Sequence, residues 1–224
     1  MSVEKYCIPE KELTLYHSKD AGSPLIILNN YAGDGRSVME AVEELGGGDF
    51  NLLCIGNLNW DHDMTPWYCP PITPKDTPCT GGADEYLKRL LEEIIPESLK
   101  RVEGTPSHMS IAGYSLAGLF ALYALYNTDK FARAASMSGS LWFPDFKEYL
   151  FSHEMKRKPE KLYLSLGDKE AGTRNKYLKS VQENTESIAE HLREIGLDVT
   201  FEMNPGNHFK DAALRSAKGI LAII

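Results

Sequence analysis

The sequence contains no apolar run close to the roughly 20 residues that a membrane-spanning helix needs. Residues 1–7 are polar and do not include the apolar segment of a signal peptide. These two absences predict a cytoplasmic protein that does not enter a membrane.

Basic residues are outnumbered by acidic ones. The chain has 24 lysine and arginine residues against 32 aspartate and glutamate residues, which gives a formal net charge of −8. No lysine- or arginine-rich run offsets this balance, whereas a nucleic-acid-binding surface concentrates positive charge. We therefore expect no nucleic acid among the partners of this protein.

Only four of the 224 residues are cysteine. Cys54 lies in an apolar run and is expected in the core. Cys69 and Cys79 bracket a proline-rich segment, and their spacing matches no common zinc motif. Because the cytoplasm keeps thiols reduced, a disulfide in this segment is expected only if the protein is exported. The cysteines thus predict no metal site.

The chain does contain a regular alternation of short apolar runs and longer amphipathic segments. Its length fits one α/β domain over residues 1–224. Strands that alternate with helices predict a mostly parallel sheet with helices on both faces. The predicted strands are residues 13–17, 25–28, 50–55, 108–112, 131–137, 161–166 and 199–203. The predicted helices are residues 36–45, 84–101 with a kink or break at Pro96, 116–126, 175–195 and 209–224, and residues 57–78 form a long loop.

The most informative stretch surrounds Ser115. This serine stands between a predicted strand and a predicted helix, with the small residues Gly113 and Ala117 two positions away on either side. The pattern is typical of a nucleophile elbow, in which a serine occupies a strained strand-to-helix corner. The Leu116 N–H would then lie at a helix N-terminus, where negative charge is favoured. The alternative is an ordinary turn into a helix, because the motif usually ends in glycine where this chain has alanine.

A serine nucleophile needs a base, and three histidines follow Ser115 in the chain. His153 and His191 stand among charged residues, as expected of solvated side chains. His208 differs, because it lies in a tight loop between the last predicted strand and the last predicted helix. Catalytic groups of open α/β sheets gather at the carboxyl ends of strands. We therefore predict that His208 is the base, with a plain turn histidine as the alternative.

The acid that orients the base is expected in the loop after the preceding strand, where both Asp168 and Glu170 stand. Glu170 is favoured, because a position three residues beyond Gly167 allows the turn to aim a carboxylate at the histidine. Asp168 is the alternative acid. A serine–histidine pair in which neither acid is essential also remains open.

A second hydrogen-bond donor for an oxyanion is expected after the predicted strand 25–28. The loop at residues 29–35 contains glycines that allow a close approach of the backbone. The N–H of Tyr31 is the predicted donor, paired with the N–H of Leu116. Loss of one such donor typically costs about 3 kcal/mol of transition-state stabilisation.

Six segments carry a family resemblance. They are Asp61-His-Asp-Met-Thr-Pro-Trp67, Gly81-Gly-Ala83, Gly113-Tyr-Ser-Leu-Ala-Gly-Leu-Phe-Ala-Leu122, Ser138-Gly-Ser-Leu-Trp142, Gly167-Asp-Lys-Glu170 and Pro205-Gly-Asn-His-Phe209. Together they resemble the putative esterase family of α/β-hydrolases, which contains esterase D and the enterobactin esterases. The resemblance extends from about residue 25 to the C-terminus.

The resemblance implies an α/β-hydrolase fold. It also implies hydrolysis of a carboxylic ester by the serine, histidine and glutamate identified above, without a metal or an organic cofactor. Two positions depart from the family pattern. Asn29-Asn30 replaces a His-Gly pair before the oxyanion donor, and Ala117 replaces a glycine. Neither change removes a reacting group.

Residues 138–159 leave room only for a minimal lid, so an open site for a small-molecule ester is expected. Trp60, Trp67 and Trp142 either line an aromatic substrate pocket or pack the long loop against the domain. The enterobactin esterases act on anionic catecholates, which call for a basic site. The acidic balance of this chain does not favour such a substrate.

Two other classes of function remain open from the sequence. The same serine could transfer the acyl group to an alcohol, which would make the chain an acyltransferase. The chain could also be a non-catalytic hydrolase-like binding module, although the intact catalytic set argues against this. A metal role for residues 61–63 is disfavoured, because no further ligands cluster with them. No motif encodes the oligomeric state.

Overall fold

The predicted apolar runs form strands in a computed structural model of the protein, which describes residues 2–224. In chain order the strands are β1 (Ser2–Ile8), β2 (Lys11–His17), β3 (Leu25–Asn29), β4 (Asn51–Gly56), β5 (Tyr68–Cys69), β6 (Cys79–Thr80), β7 (Met109–Tyr114), β8 (Arg133–Met137), β9 (Lys161–Gly167) and β10 (Val199–Asn204). Eight of them form one sheet in the order β1-β2-β4-β3-β7-β8-β9-β10, and β5 and β6 form a two-stranded ribbon.

Most of the large sheet is parallel. All pairs from β4 to β10 run parallel, whereas β1 pairs antiparallel with β2 and β2 pairs antiparallel with β4. Every residue of β3 and β4 is buried, as expected of strands that are covered on both faces. The predicted fold class is confirmed. Because the carboxyl ends of parallel strands share one edge, the loops after β3, β7, β8, β9 and β10 meet there.

The helices cover the two faces of this sheet. In chain order they are α1 (Arg36–Glu44), α2 (Trp60–Asp63), α3 (Ala83–Arg89), α4 (Ile95–Leu99), α5 (Leu116–Asn127), α6 (Phe146–Ser152), α7 (Val181–Glu194) and α8 (Ala212–Ala222). α1 and α8 pack together on one face, and α5 and α7 pack on the other. α5 is buried from Leu116 to Tyr126, which explains why it is apolar all round. No helix within residues 2–224 is long and apolar enough to cross a membrane.

The helix predicted over residues 84–101 is widened just before Pro96. A π-helical turn, Leu90–Ile94, joins α3 to α4. Proline has no N–H and its ring crowds the carbonyl one turn earlier. The wider turn relieves this crowding, so the chain passes through Pro96 without leaving the helix.

Several elements differ from the sequence expectation. The strand β1 and the helix α6 were not predicted; β1 is a half-exposed edge strand without a continuous apolar run. The loop predicted over residues 57–78 contains α2 and the first strand of the ribbon. α7 begins at Val181, later than predicted, after a 3₁₀ turn at Leu178–Ser180.

The ribbon places two cysteines side by side. Cys69 lies opposite Cys79, and both are free, buried thiols. Burial raises the pKa of Cys69, and it raises the pKa of Cys79 to about 12. Both thiols are therefore protonated at neutral pH, and the protonated form is a poor nucleophile and a poor metal ligand. Their environment suits packing.

Candidate active site

Ser115 occupies the corner between β7 and α5. Its backbone has φ 60° and ψ −124°, a strained conformation for a residue with a side chain. The neighbouring chain is close enough to require glycine, since a Cβ at Gly113 would lie 2.2 Å from the carbonyl oxygen of Ala117. This local geometry is that of a nucleophile elbow.

His208 lies in the loop between β10 and α8, at the carboxyl edge of the sheet. Its Nε2 is 3.0 Å from Ser115 Oγ. The Tyr114 hydroxyl donates a hydrogen bond of 2.7 Å to the carbonyl oxygen of His208, which holds the loop against the elbow. The imidazole is therefore within reach of the serine proton.

Glu170 lies on the other side of the imidazole. Its Oε2 is 2.7 Å from His208 Nδ1. Its Oε1 accepts hydrogen bonds from Ser138 Oγ at 2.7 Å, the Gly167 N–H at 2.6 Å and Arg215 Nη1 at 3.0 Å. Burial would raise the pKa of Glu170, but hydrogen bonds from the imidazole, Ser138 and Gly167 outweigh it and hold this pKa below its usual value. The carboxyl group is therefore ionised at neutral pH.

Asp168 has different partners. Its Oδ1 accepts a hydrogen bond of 2.7 Å from the Gly206 N–H, and its own N–H donates to the carbonyl oxygen of Asn204 at 2.8 Å. These bonds tie the loop after β9 to the loop after β10. The structure thus brings Glu170, and not Asp168, to the ring of His208.

Sequence reasoning assigned no role to two residues that contact Glu170, Ser138 and Arg215. The Arg215 side chain is only 1% exposed, and its Nη1 lies 3.0 Å from both Ser138 Oγ and Glu170 Oε1. Its Nη2 donates to the carbonyl oxygen of Pro205 at 3.0 Å. A signal was present in the sequence, because Arg215 stands among small and apolar residues of the last helix. An arginine buried in such a place needs an acidic partner.

Tyr31 and Leu116, the predicted sources of oxyanion N–H groups, both border space that opens at Ser115. Leu116 is the first residue of α5, where N–H groups have no acceptor within the helix. Tyr31 follows β3, and its side chain is largely exposed. Its ring meets that of Trp60 edge-on, with 5.0 Å between the centroids.

Two cavities open at Ser115. The first cavity has a volume of about 330 Å³ and the second about 420 Å³. They share Trp60, Ser115, His208 and Phe209. The first is also lined by Asp61, Ile72, Asp76, Trp142 and Val181, and the second by Asn29, Asn30, Tyr31, Ala213 and Ser216. An ester bound at Ser115 can therefore extend in two directions.

The three predicted pocket tryptophans separate into two groups. Trp60 and Trp142 line the first cavity. Trp67 does not; its ring packs 5.6 Å from that of Tyr149, and its Nε1 donates to the carbonyl oxygen of Pro144 at 3.0 Å. The placement of Trp67 in a substrate pocket is wrong, because this residue packs the long loop against α6 and the segment before it.

The acidic and histidine side chains of residues 61–63 each have a separate protein partner. Asp61 accepts a hydrogen bond from the Thr77 hydroxyl, and His62 Nδ1 lies 2.7 Å from Thr80 Oγ1. Asp63 forms a buried ion pair of 2.6 Å with Lys11. Within residues 2–224, no group of three or more histidine, cysteine, aspartate or glutamate side chains could hold a metal ion.

The sequence and the fold of this chain are similar to those of known proteins. A family model described as "Putative esterase" matches residues 53–211. The chain is 24% identical over 211 residues to the uncharacterized protein YbbA of Bacillus subtilis (strain 168), covering 87% of this chain and 83% of YbbA. It is similar to the solved siderophore hydrolase EstB from Aspergillus nidulans, with a TM-score of 0.79, 19% identity and coverage of 100% of this chain and 95% of EstB. An IroE-like serine hydrolase from Shewanella oneidensis also gives a TM-score of 0.79, with 18% identity and coverage of 98% of this chain and 78% of the hydrolase.

Proposed function

The chain belongs to the Esterase family and is an esterase-type hydrolase with the α/β-hydrolase fold, and from this premise we propose that it cleaves a carboxylic ester through an acyl-enzyme on Ser115. His208 is the general base and Glu170 is the orienting acid. The observation that carries the proposal is the pair of contacts at His208, 3.0 Å from Nε2 to Ser115 Oγ and 2.7 Å from Nδ1 to Glu170 Oε2. Acyl transfer uses a hydroxyl nucleophile, a base and an acid in this order.

Acylation begins when His208 Nε2 takes the proton of the Ser115 hydroxyl and Oγ attacks the carbonyl carbon of the ester. The carbonyl oxygen becomes an oxyanion, for which the N–H groups of Tyr31 and Leu116 are the proposed donors. Collapse of this intermediate breaks the bond to the alcohol oxygen. The alcohol leaves with the proton that His208 Nε2 held.

Deacylation repeats these steps with water. His208 Nε2 takes a proton from a water molecule, whose oxygen attacks the carbonyl carbon of the acyl-enzyme. The second oxyanion collapses, the bond to Ser115 Oγ breaks, and His208 returns the proton to the serine. The carboxylic acid leaves, and the enzyme is restored.

Glu170 determines which nitrogen of the imidazole carries the proton. Its ionised Oε2 accepts the Nδ1–H, which leaves the lone pair of Nε2 directed at Ser115. The same negative charge stabilises the imidazolium that forms in each half-reaction. Arg215 and Ser138 hold the other carboxylate oxygen, so the orientation of Glu170 is retained through the cycle.

The proposed substrate is a small-molecule ester whose acyl and alcohol parts occupy the two cavities. Since EstB is a siderophore hydrolase, siderophore esters belong among the compounds to be assayed. The charged residues that line the two cavities indicate which esters are favoured. Asp61 and Asp76 line the first cavity, and no lysine or arginine of residues 2–224 lines either cavity. Such walls favour neutral esters over anionic ones.

We expect kcat/KM for p-nitrophenyl hexanoate to exceed that for mono-p-nitrophenyl adipate by about tenfold, because Asp61 and Asp76 repel the terminal carboxylate of the second ester. Both esters carry a six-carbon acyl chain, and they differ at its far end, which is a methyl group in the first ester and a carboxylate in the second. The difference in kcat/KM between the two esters should decrease at high salt, which screens the repulsion. The same difference should also decrease in a variant that combines Asp61→Asn with Asp76→Asn. Equal rates for the two esters in wild-type protein would contradict this expectation.

The function itself is tested by fluorophosphonate labelling and by release of p-nitrophenol from esters of increasing acyl length. We expect one labelled serine, identified as Ser115 by mass spectrometry, and turnover that labelling abolishes. A folded protein that is neither labelled nor active would overturn the proposal and favour a binding module. With competing alcohols present, the free acid should remain the main product; a transferred ester as the main product would identify an acyltransferase.

A further inference from the structure

Phe209 is an apolar residue that the mechanism above does not use. It follows the proposed base His208 directly in the chain, and its side chain is 86% exposed. No other large hydrophobic side chain of residues 2–224 is as exposed. A single exposed ring is common on protein surfaces, so its surroundings decide whether it has a role.

Tyr31 is the next most exposed large hydrophobic side chain within residues 2–224, at 72%, and it lies at the same cavity. Phe209 and Tyr31 both line the second cavity, together with Ser115 and His208. The other exposed large hydrophobic side chains in this part of the chain line neither cavity at the serine. Exposed apolar groups that gather at a cavity are typical of a binding site.

Local contacts determine where both rings stand. The Phe209 ring lies perpendicular to the imidazole of His208, with 5.3 Å between the centroids, and the Phe209 N–H donates a hydrogen bond of 3.1 Å to Asn207 Oδ1. The Tyr31 ring packs edge-on against Trp60. Most of each ring remains open to water. The exposed surface of both rings can therefore contact a molecule that binds at the serine.

The walls of the second cavity suit an uncharged apolar group. They include Val38, Ala212 and Ala213, and among residues 2–224 no aspartate, glutamate, lysine or arginine lines this cavity. A charged group that enters such a space loses water without gaining a partner, whereas an apolar group is favoured when it leaves water. The volume of about 420 Å³ is large enough for a group of several carbon atoms.

We propose that Phe209 is a specificity-determining residue, whose ring binds an uncharged apolar group of the ester at the second cavity together with the ring of Tyr31. Substrate binding buries ring surface that is exposed in the free protein, and this burial favours esters that carry such a group. The inference rests on the proposed ester hydrolysis. The apolar group belongs to the acyl part or to the alcohol part of the ester, and two pairs of esters distinguish these sources.

Phe209→Ala tests the inference with both pairs. The acyl pair is p-nitrophenyl acetate and p-nitrophenyl hexanoate, and the alcohol pair is ethyl acetate and hexyl acetate. Wild-type protein should have a higher kcat/KM for the longer ester of at least one pair. We expect the variant to lower this ratio of kcat/KM values by about tenfold, mainly through a higher KM for the longer ester. The ratio does not depend on the fraction of folded enzyme, so a purely structural defect would leave it unchanged.

Phe151→Ala is the matched control, because it makes the same change away from the site. Phe151 lies on α6 and is 43% exposed, its ring stacks on that of His191 at 4.2 Å, and it lines neither cavity. We expect both ratios to stay within about twofold of the wild type. Phe209→Leu keeps a large apolar side chain, and it should retain most of the preference for the longer ester.

Unchanged ratios in Phe209→Ala would overturn the inference, and equal losses of kcat for short and long esters would show that the ring only positions His208. Wild-type protein without a preference in either pair would also overturn it. In these cases a labelled, active wild type leaves the proposed function intact. Wild-type protein that fluorophosphonate does not label and that hydrolyses none of the esters would overturn the proposed function as well. If Phe209→Ala does not fold, Phe209→Gln replaces the ring with a polar chain and is judged by the same ratios.

Discussion

Ser115→Ala is expected to abolish fluorophosphonate labelling and to lower kcat for p-nitrophenyl esters by about 10⁴–10⁶-fold. Without Oγ no acyl-enzyme can form, and only slow attack by water at the remaining site is left. The fold should be unaffected, since the only hydrogen-bond partners of Oγ among residues 2–224 are His208 Nε2 and Ser140 Oγ, at 3.0 and 3.3 Å. Labelling, steady-state kinetics and a thermal melt of the same preparation check the expectation.

Ser140→Ala is the matched control for this result. Ser140 borders the first cavity with the proposed nucleophile, so the control removes a neighbouring hydroxyl and leaves Ser115 in place. Loss of one neutral hydrogen bond is worth about 1 kcal/mol, so kcat should fall less than tenfold and labelling should persist. Labelling that survives in Ser115→Ala and disappears in Ser140→Ala would show that Ser140, and not Ser115, is the nucleophile.

Glu170→Gln is expected to lower kcat by about 10⁴-fold. Glutamine has the shape of glutamate, but it lacks the negative charge that, in the proposed mechanism, selects the Nδ1–H form of His208 and stabilises the imidazolium. The change also leaves Arg215 buried without its carboxylate, and removal of one partner from a buried pair costs about 3–5 kcal/mol. We therefore expect a lower melting temperature too. Rates must be measured well below that temperature, so that loss of folded protein is not mistaken for loss of catalysis.

Asp168→Asn provides the comparison, because it removes one negative charge from the same loop. Asp168 Oδ1 accepts the Gly206 N–H, and an asparagine oxygen can still accept it. We expect kcat to change less than about tenfold. A larger loss here than in Glu170→Gln would assign the acid to Asp168. Small losses in both variants would leave a serine–histidine pair as the working machinery.

One topological rule allowed the sequence to predict which loops meet. Ser115, Glu170 and His208 each follow a predicted strand, and a parallel sheet collects those strand ends at one edge. The choice between the two acids depended on the turn after Gly167. There the Glu170 N–H donates to the Gly167 carbonyl oxygen at 3.1 Å, and Glu170 Oε1 accepts the Gly167 N–H. This turn directs the carboxylate at the histidine.

Contacts between distant segments could not be predicted in this way. The Nε1 partner of Trp67 lies 77 residues further along the chain, and the carboxylate partner of Arg215 lies 45 residues earlier. Local sequence is the same whether an aromatic residue of a proline-rich loop faces a cavity or a neighbouring helix. The amide of Asn29 is a similar case, because its orientation depends on a hydroxyl 57 residues away.

The crowded carboxylate of Glu170 also constrains how this site can evolve. One oxygen is held by His208, and the other receives three donors, one of them the guanidinium of Arg215. A mutation at either Glu170 or Arg215 alone leaves a buried charge unmatched, so each position depends epistatically on the other. Descendants of this enzyme should keep both residues or replace both. A lineage that gave up hydrolysis would lose the arginine along with the glutamate, even though the arginine borders neither cavity at Ser115.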